Sequence, residues 1–354
     1  MDRLRALWAA LAAPAGHTPW LDGWRGLCIL MVLAGHFVPQ LARLAPLGVE
    51  MFFVLSGMLM AELLVIRRQP LATFVARRGT RVLPLLALYT GVVTLGMAIA
   101  ALVGGAAVSW QSPMATLLFF SNYLAEPAPL LEHSWSLAVE EHSYLLLVLV
   151  AVASRRRAPL AAAIALLLAV AMAINGAARF YDGVPDPVYL FWRSDVRAAS
   201  VLFAFALRLA IARVPDGQGG AAAALLSPLC LVCAVACMPA GGALTPLRLA
   251  GTTLFAGMAV NMIPFAVPAF RRLLSMPVLT RLGTLSFSLY LWQQPLFLAT
   301  KGDFPAVVAV PILLLLATWS YLRVEAPARR FLNARLPLWG SGARVRGRNW
   351  LPHA

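Results

Sequence analysis

The sequence is poor in charge. Only 12% of its 354 residues are Asp, Glu, Lys or Arg, whereas 61% are apolar, and the mean hydropathy is +0.80. A soluble domain usually has about 25% charged and about 45–50% apolar residues. The apolar runs continue for about 17–24 residues without the alternation of barrel strands, which excludes a soluble globular protein, a disordered chain and a β-barrel. The sequence therefore predicts an all-α, polytopic membrane helix bundle.

Cysteine and lysine are also scarce. The four cysteines (Cys28, Cys230, Cys233 and Cys237) all lie in apolar runs. The CxxC formed by two of them has no His or acidic neighbour, which favours packing over a metal or redox site. One lysine and 28 arginines give a net charge of +15, and in a membrane protein the positive-inside rule explains this excess better than nucleic-acid binding does. We expect no metal, no permanently bound cofactor and no nucleic-acid partner.

Hydropathy and charge together predict ten transmembrane helices. With the N-terminus in the cytosol, most of the 29 basic residues fall on the cytosolic side, so both termini are predicted to be cytosolic. The segments 105–135 and 176–195 are interrupted by proline and are predicted to be long outer loops. The predicted spans are 25–43, 47–66, 81–104, 136–153, 159–175, 196–212, 222–238, 246–264, 282–299 and 304–322.

Three regions follow from this layout. Residues 1–20 are predicted to be an N-terminal cytosolic or interfacial segment, 21–327 the membrane domain, and 328–354 a basic cytosolic tail. The preference for arginine over lysine and the many alanines are typical of a GC-rich bacterial genome. The predicted location is therefore the bacterial cytoplasmic (inner) membrane.

Ionisable residues within a span indicate function, because lipid makes them expensive. Arg25 and His36 are eleven helical steps apart, which is about 16 Å and three turns, so both should lie on one face. With Arg25 at the cytosolic edge, His36 is expected near the bilayer midplane. This spacing suits a long anionic cytosolic ligand. The alternative is an arginine that reaches the headgroups and a histidine hydrogen-bonded between helices.

A second group of ionisable residues starts the fourth predicted span. Glu140 and Glu141 lie just inside its outer end, and because adjacent helical residues diverge by about 100°, at most one should face the cavity of His36. Glu141 and Tyr144, three residues apart, share a face. A carboxylate there would orient the imidazole and stabilise its protonated form. The alternative is a pair of acids in water at the outer rim, with His133 exposed beside them.

Taken together, six blocks of the sequence resemble the motifs of the acyltransferase-3 family of integral membrane O-acyltransferases. They occur in the family's order from about residue 21 to 327. Two positions differ: Gln293 stands where the family often has His, and His142-Ser143 where Gln-Phe is more usual. The blocks are Leu21–Gly26 followed by His36; Gly48–Gly57; Arg77-Arg78 with Arg81 and Pro84; His133–Tyr144; Gly283, Ser286, Tyr290, Leu291, Trp292 and Pro295; and Val324-Glu325 with Pro327.

The resemblance implies transfer of an acyl group, most often acetyl, from acyl-CoA to a hydroxyl of an extracytoplasmic or lipid-linked carbohydrate. It implies His36 as general base, or as the site of a covalent acyl group, with Glu141 orienting it. Membrane lipid is a further expected partner. The implied donor-binding residues are Arg25, Arg77, Arg78 and Arg81. The implied acceptor-binding candidates are Glu140, Tyr144, His133, Trp135, Tyr290, Trp292 and Gln293.

Two alternatives remain open. Membrane-buried His, Glu and Arg residues would also serve a proton-coupled transporter or flippase of a lipid-linked or small acylated molecule. The sequence shows no internal repeat of the kind many transporters have. Within the enzymes, a succinyl or longer-chain acyltransferase is the alternative.

Overall fold

The computed structural model shows a bundle of helices joined by connectors. It describes residues 11, 18–104, 109–183, 187–212, 220–239 and 241–335. Within these ranges every regular element is helical and no strand occurs, which confirms the all-α class. Most of the predicted segment 1–20 and the end of the predicted tail 328–354 lie outside the described residues.

The helices follow closely on one another along the chain. Helices α2 and α14 each continue into a π-helical turn, at Ala61–Ile66 and Tyr321–Glu325. The α-helices are α1 (Pro19–Phe37), α2 (Leu44–Met60), α3 (Leu71–Val103), α4 (Gln111–Leu117), α5 (Trp135–Ala153), α6 (Ala158–Tyr181), α7 (Pro187–Leu190), α8 (Ser194–Arg197), α9 (Ala199–Ile211), α10 (Gly220–Ala236), α11 (Thr245–Met262), α12 (Pro268–Leu274), α13 (Pro277–Thr300), α14 (Ala306–Ser320) and α15 (Ala326–Arg335).

Several of these helices can cross a bilayer. A sixth span is possible where Thr245–Phe265 and Pro268–Leu274 meet at a bend of 109°. These lengths support a multi-pass membrane protein, whereas the count of ten spans and the cytosolic termini stay predictions. In the described part of the chain, five helices are long and apolar enough, namely Leu44–Ile66, Leu71–Val103, Glu132–Ala153, Ala158–Tyr181 and Ala306–Arg335.

The outward faces of the long helices are apolar. Leu102 on α3 is 75% exposed, Leu167 on α6 is 71% exposed and Leu315 on α14 is 72% exposed. Large apolar side chains with such high exposed fractions on several helices are unfavourable in water but favourable in contact with lipid tails. The exposed surface therefore agrees with the membrane prediction made from composition.

Helix α1 begins earlier than the predicted span 25–43. It runs from Pro19 to Phe37, with proline in its first turn, because proline is pre-organised for that position. It ends before Pro39, which starts a separate 3-10 turn. Arg25 therefore lies in the second turn of α1 and His36 in its last turn. The position of His36 near the bilayer midplane stays a prediction.

Glycine lets α1 and α13 approach each other closely. A Cβ atom at Gly26 would lie 1.9 Å from the carbonyl oxygen of Leu279, and one at Gly283 would lie 1.8 Å from that of Asp22. Only glycine tolerates such contacts. His36 and its partner Gln293 are 257 residues apart in sequence, and so are Gly26 and Gly283. A constant separation between facing residues means that the two helices run parallel. Their contact thus places His36 against α13.

The chain before α5 enters the bundle instead of staying at its surface. The Tyr89 hydroxyl on α3 donates to the carbonyl oxygen of Leu130 at 2.6 Å, and Arg78 on the same helix forms an ion pair with Glu140 at 2.9 Å. Residues 130–140 therefore run antiparallel to α3 through its middle part. Helix α5 therefore begins inside the bundle, whereas the predicted span 136–153 was expected to start at the outer surface.

Candidate active site

His36 is half-buried on α1 and has a defined hydrogen-bond partner. Its Nδ1 lies 3.1 Å from Oε1 of Gln293, and its ring stacks on Phe297 with centroids 4.3 Å apart and planes 17° apart. Because an amide oxygen only accepts, Nδ1 carries the hydrogen and Nε2 keeps its lone pair. The imidazole is therefore held in the tautomer that a general base needs.

Two tyrosines hold His133 in the core beside this histidine. The His133 ring is buried, with centroids 5.5 Å from Tyr89 and 5.3 Å from Tyr290. The Tyr290 hydroxyl donates to the backbone oxygen of His133 at 2.6 Å and lies 2.6 Å from Oγ of Ser136. These bonds tie the start of α5 to α13, and the predicted alternative of an exposed His133 is wrong.

Several buried nitrogen atoms in this region lack hydrogen-bond partners. Among the described residues, both ring nitrogens of His133, Nε1 of Trp292 and Nε2 of Gln293 have no hydrogen-bond partner. The Trp292 ring packs edge-on against Tyr89 at 5.2 Å. Each unpaired buried polar group costs about 1–3 kcal/mol, which a ligand with polar atoms would offset. We call His36, His133, Tyr290, Trp292 and Gln293 the histidine pocket.

A second polar group surrounds Arg78 on α3. Its Nε donates to Oε1 of Glu141 at 2.7 Å, its Nη2 pairs with Oε2 of Glu140 at 2.9 Å, and its guanidinium lies 4.4 Å from the Tyr144 ring centroid. Ser56 Oγ donates to Glu140 at 2.6 Å, and so does the Tyr144 hydroxyl. We call these five residues the arginine cluster. Both glutamates bind one cation, a contact that the sequence did not predict.

The other predicted donor-binding arginines lie near this cluster. Arg81 is within electrostatic range of three other guanidinium groups, those of Arg25, Arg78 and Arg329. The carboxylates of Glu325 and Glu140 are also within range of it. Arg25 also pairs with a nearby acid on its own helix at 3.1 Å. The structure thus brings three of the four predicted arginines together.

The fourth predicted arginine, Arg77, precedes Arg78 on α3 and is half-buried. Adjacent residues point about 100° apart around a helix. Arg77 therefore leaves α3 on a different side from the guanidinium that the two glutamates hold.

The arginine cluster and the histidine pocket lie at different levels. Tyr89, which touches His133, follows Arg78 by eleven residues on α3, and His36 follows Arg25 by eleven on α1. Eleven residues of helix rise about 16 Å. Glu141 therefore lies at the level of Arg78, and the expected pairing of Glu141 with His36 is wrong.

Trp135 lies apart from both groups. Its ring stacks on Trp192 with centroids 5.4 Å and planes 7° apart, and it packs edge-on against Phe53. Close by, Asn122 Nδ2 donates to Ser194 Oγ at 2.9 Å. The two long connectors predicted as outer loops therefore contact each other over the start of α5.

Across the part of the chain that the structure describes, no group of three or more His, Cys, Asp or Glu side chains could hold a metal ion. The arrangement supplies instead a base, unpaired N–H donors and a concentration of guanidinium groups. This set fits transfer of an acyl group from an anionic donor.

Comparison with known families agrees with this chemistry. A model described as an acyltransferase domain, Acyl_transf_3, matches residues 18–322. The chain belongs to the acyltransferase-3 family. The matched range includes His36, the arginine cluster and the histidine pocket. The resemblance based on the six sequence blocks is thereby confirmed.

The curated relatives of this acyltransferase carry names that refer to O-acetylation. Peptidoglycan O-acetyltransferase OatA of Listeria monocytogenes is 24% identical over 90% of this chain and 57% of its own length. O-acetyltransferase OatA of Staphylococcus aureus is 29% identical over 89% and 57%, and the putative peptidoglycan O-acetyltransferase YrhL of Bacillus subtilis is 28% identical over 88% and 55%. The chain thus spans little more than half of these relatives. No solved structure matches it.

Sequence reasoning missed several side chains of the candidate site. Tyr89 and Phe297 are aromatic residues in apolar helices, where packing is the usual reason for them. Ser56 lies in an apolar helix as well, yet it donates to Glu140. The eleven-residue step from Arg78 to Tyr89 is about three helical turns, and it is the signal that could have placed these two on one face of α3.

Proposed function

We propose that this protein is a membrane O-acyltransferase that moves an acetyl group from acyl-CoA to a hydroxyl of cell-envelope carbohydrate. The observation that supports this most is the His36 imidazole, with Nδ1 bonded to Gln293 and Nε2 available beside unpaired buried donors. The names of the relatives, which refer to peptidoglycan O-acetylation, favour a peptidoglycan-type glycan as acceptor. The bacterial inner membrane is the proposed location.

The proposed donor site lies around Arg81. Three guanidinium groups and two carboxylates, those of Glu325 and Glu140, are within electrostatic range of it. Glu140 is already paired with Arg78, so positive charge is in excess around Arg81. Guanidinium groups bind phosphate oxygens with two parallel hydrogen bonds. The 3′-phosphate and diphosphate of coenzyme A would supply the missing charge.

The separation of the two levels suits the length of this donor. The nucleotide would bind near Arg25 and Arg81, and the pantetheine arm would extend along α1 towards His36. The helical rise between the levels is about 16 Å, comparable with an extended pantetheine arm. The thioester would then lie beside Nε2 of His36, next to the unpaired nitrogens.

The reaction at His36 follows from its tautomer. Nε2 takes the proton of the acceptor hydroxyl while that oxygen attacks the thioester carbon. The carbon–oxygen bond forms, the carbon–sulfur bond breaks, and the thiolate leaves with the proton returned by the imidazolium. Gln293 keeps the ring oriented throughout. An acyl group carried on Nε2 is the two-step form of the same transfer.

The test follows label from donor to glycan. Purified protein in detergent is incubated with radiolabelled acetyl-CoA, with and without peptidoglycan fragments, and the His36→Ala variant is compared with wild type. Cys233→Ala is the matched control, because Cys233 lies on α10 and belongs to neither the arginine cluster nor the histidine pocket. Parallel reactions with succinyl-CoA and longer acyl-CoAs measure the acyl preference.

We expect label on the glycan with wild type and Cys233→Ala, and none with His36→Ala. Release of CoA without labelled glycan would reject the proposed acceptor. Absence of both binding and turnover of acetyl-CoA would reject the proposed donor. Label that stays on the protein after denaturation would identify the two-step route.

A further inference from the structure

The unpaired donors beside His36 have a chemical use that deepens the proposed function and rests on it. We propose that the indole N–H of Trp292 and the amide N–H of Gln293 form the oxyanion hole of the acyl transfer. They would bind the carbonyl oxygen of the acyl group and hold the negative charge it acquires. The Gln293 amide would then do two things at once, since its oxygen orients the base and its nitrogen stabilises the oxyanion.

Burial of the two groups is the first observation. Gln293 is 0% exposed and Trp292 is 7% exposed. Neither Nε2 of Gln293 nor Nε1 of Trp292 has a hydrogen-bond partner among the residues described. Both groups act only as donors, so what they lack is an acceptor. A carbonyl oxygen or an oxyanion supplies one.

Position relative to the base is the second observation. The Gln293 nitrogen shares a carbon atom with the oxygen that lies 3.1 Å from His36 Nδ1, so it stands beside the same imidazole. The Trp292 ring contacts Tyr89 at 5.2 Å, and Tyr89 contacts His133 at 5.5 Å. Trp292 and Gln293 are adjacent on α13, so their side chains diverge by about 100°. Gln293 lies towards His36, and Trp292 lies towards Tyr89 and His133, so the two donors flank the two histidines from neighbouring sides.

Charge at this level favours an oxyanion as the bound species. The carboxylates of Glu140 and Glu141 are paired with the guanidinium of Arg78, which offsets their repulsion of an oxyanion in the histidine pocket. Donors that are already in place, away from water, stabilise developing negative charge strongly. His133, whose neutral ring has one donor and one acceptor, suits the acceptor hydroxyl better than the oxyanion.

The step balances as follows. The hydroxyl oxygen bonds to the acyl carbon as Nε2 of His36 takes its proton, and the carbonyl π pair moves onto the carbonyl oxygen. The N–H groups of Trp292 and Gln293 bind this oxyanion. When the double bond reforms, the carbon–sulfur bond breaks and the thiolate of CoA leaves with the proton from His36.

The decisive variant is Trp292→Phe, which keeps a ring against Tyr89 and removes the N–H. Loss of one oxyanion donor lowers kcat by about 10²–10³-fold, and we expect this with little change in the KM and Kd for acetyl-CoA. Trp319→Phe is the matched control, because Trp319 on α14 is 52% exposed at the surface of the bundle. A benzothiophene analogue of the Trp292 indole removes only the N–H and should reproduce the loss.

Gln293→Glu separates orientation from oxyanion binding. A carboxylate still accepts from Nδ1 of His36 and orients the ring at least as well, so a purely orienting Gln293 predicts an unchanged or higher kcat. An oxyanion donor predicts a kcat lower by about 10²-fold or more, because the N–H is gone. Donor binding again serves as the check on folding.

The outcomes are distinct from those of the proposed function. Wild-type transfer together with full kcat in Trp292→Phe and Gln293→Glu overturns the oxyanion hole and leaves the acyltransferase proposal standing. Loss of acetyl-CoA binding in Trp292→Phe and in the benzothiophene protein also overturns it, since it assigns the indole to packing. If wild type transfers nothing, both proposals fail together.

Discussion

The arginine cluster and the histidine pocket are both polar groups inside an apolar bundle, yet they differ in how well they are satisfied. Around Arg78 each charge has a partner, from Glu140, Glu141, Ser56 or Tyr144. Around His36 several buried nitrogens have none among the residues described. A satisfied network stabilises one structure, whereas an unsatisfied one is suited to bind a ligand. Residue type alone would have assigned the chemistry to the glutamates.

The largest effect that separates the two groups should come from His36→Ala. Removal of a general base typically lowers the rate by about 10²–10⁴-fold, and we expect acetyl transfer to fall by this factor. Thermal unfolding should change little, because His36 is half-buried with a single hydrogen bond. Transfer rate and unfolding temperature measured on the same preparation check this, and a normal rate would remove His36 from the chemistry.

Arg78→Met tests the arginine cluster by its effect on stability, whereas His36→Ala is expected to change the transfer rate. Breaking a buried ion pair by removing one partner costs about 3–5 kcal/mol, and here two carboxylates lose their cation. We expect a large drop in unfolding temperature in detergent. A triple variant that also carries Glu140→Gln and Glu141→Gln should recover much of it. An unchanged unfolding temperature in Arg78→Met would mean that the network is not needed for stability.

Glu141→Gln sharpens the comparison. If Glu141 serves Arg78 and not His36, the variant loses one charge-assisted hydrogen bond, worth about 1.5–3 kcal/mol, and keeps most of its kcat. The original expectation, in which Glu141 orients the imidazole, predicts a loss of kcat close to that of His36→Ala. Steady-state kinetics with acetyl-CoA and glycan decide between them.

Arg193→Met should have the smallest effect. Arg193 pairs with Asp195 at 3.0 Å, but their side chains are 36% and 35% exposed, and exposed pairs contribute about 0–1 kcal/mol. Asp195 also keeps Arg179 as a partner at 3.3 Å. Unfolding temperature should therefore stay close to that of wild type. A drop as large as that of Arg78→Met would show that burial is not what separates the two pairs.

Much of the site was predictable, because its residues lie in short motifs. His36 and Arg25 were selected from spacing and charge, and Arg78 and Arg81 from the resemblance to the family's motifs. The errors concern depth. Span edges predicted from hydropathy placed Glu141 near the outer surface. In the structure the hydrogen bond from the Tyr89 hydroxyl to the backbone oxygen of Leu130 holds the chain before α5 inside the bundle.

By itself, the sequence determined the helical membrane class and the family, since both depend on local composition and on motifs read in order. The tertiary structure alone decided which side chains meet. Gln293 became the partner of His36 because α1 and α13 pack in parallel with a fixed register, and Gly26 and Gly283 allow that approach. A register between helices 257 residues apart in sequence depends on close packing of backbones, which no local pattern specifies.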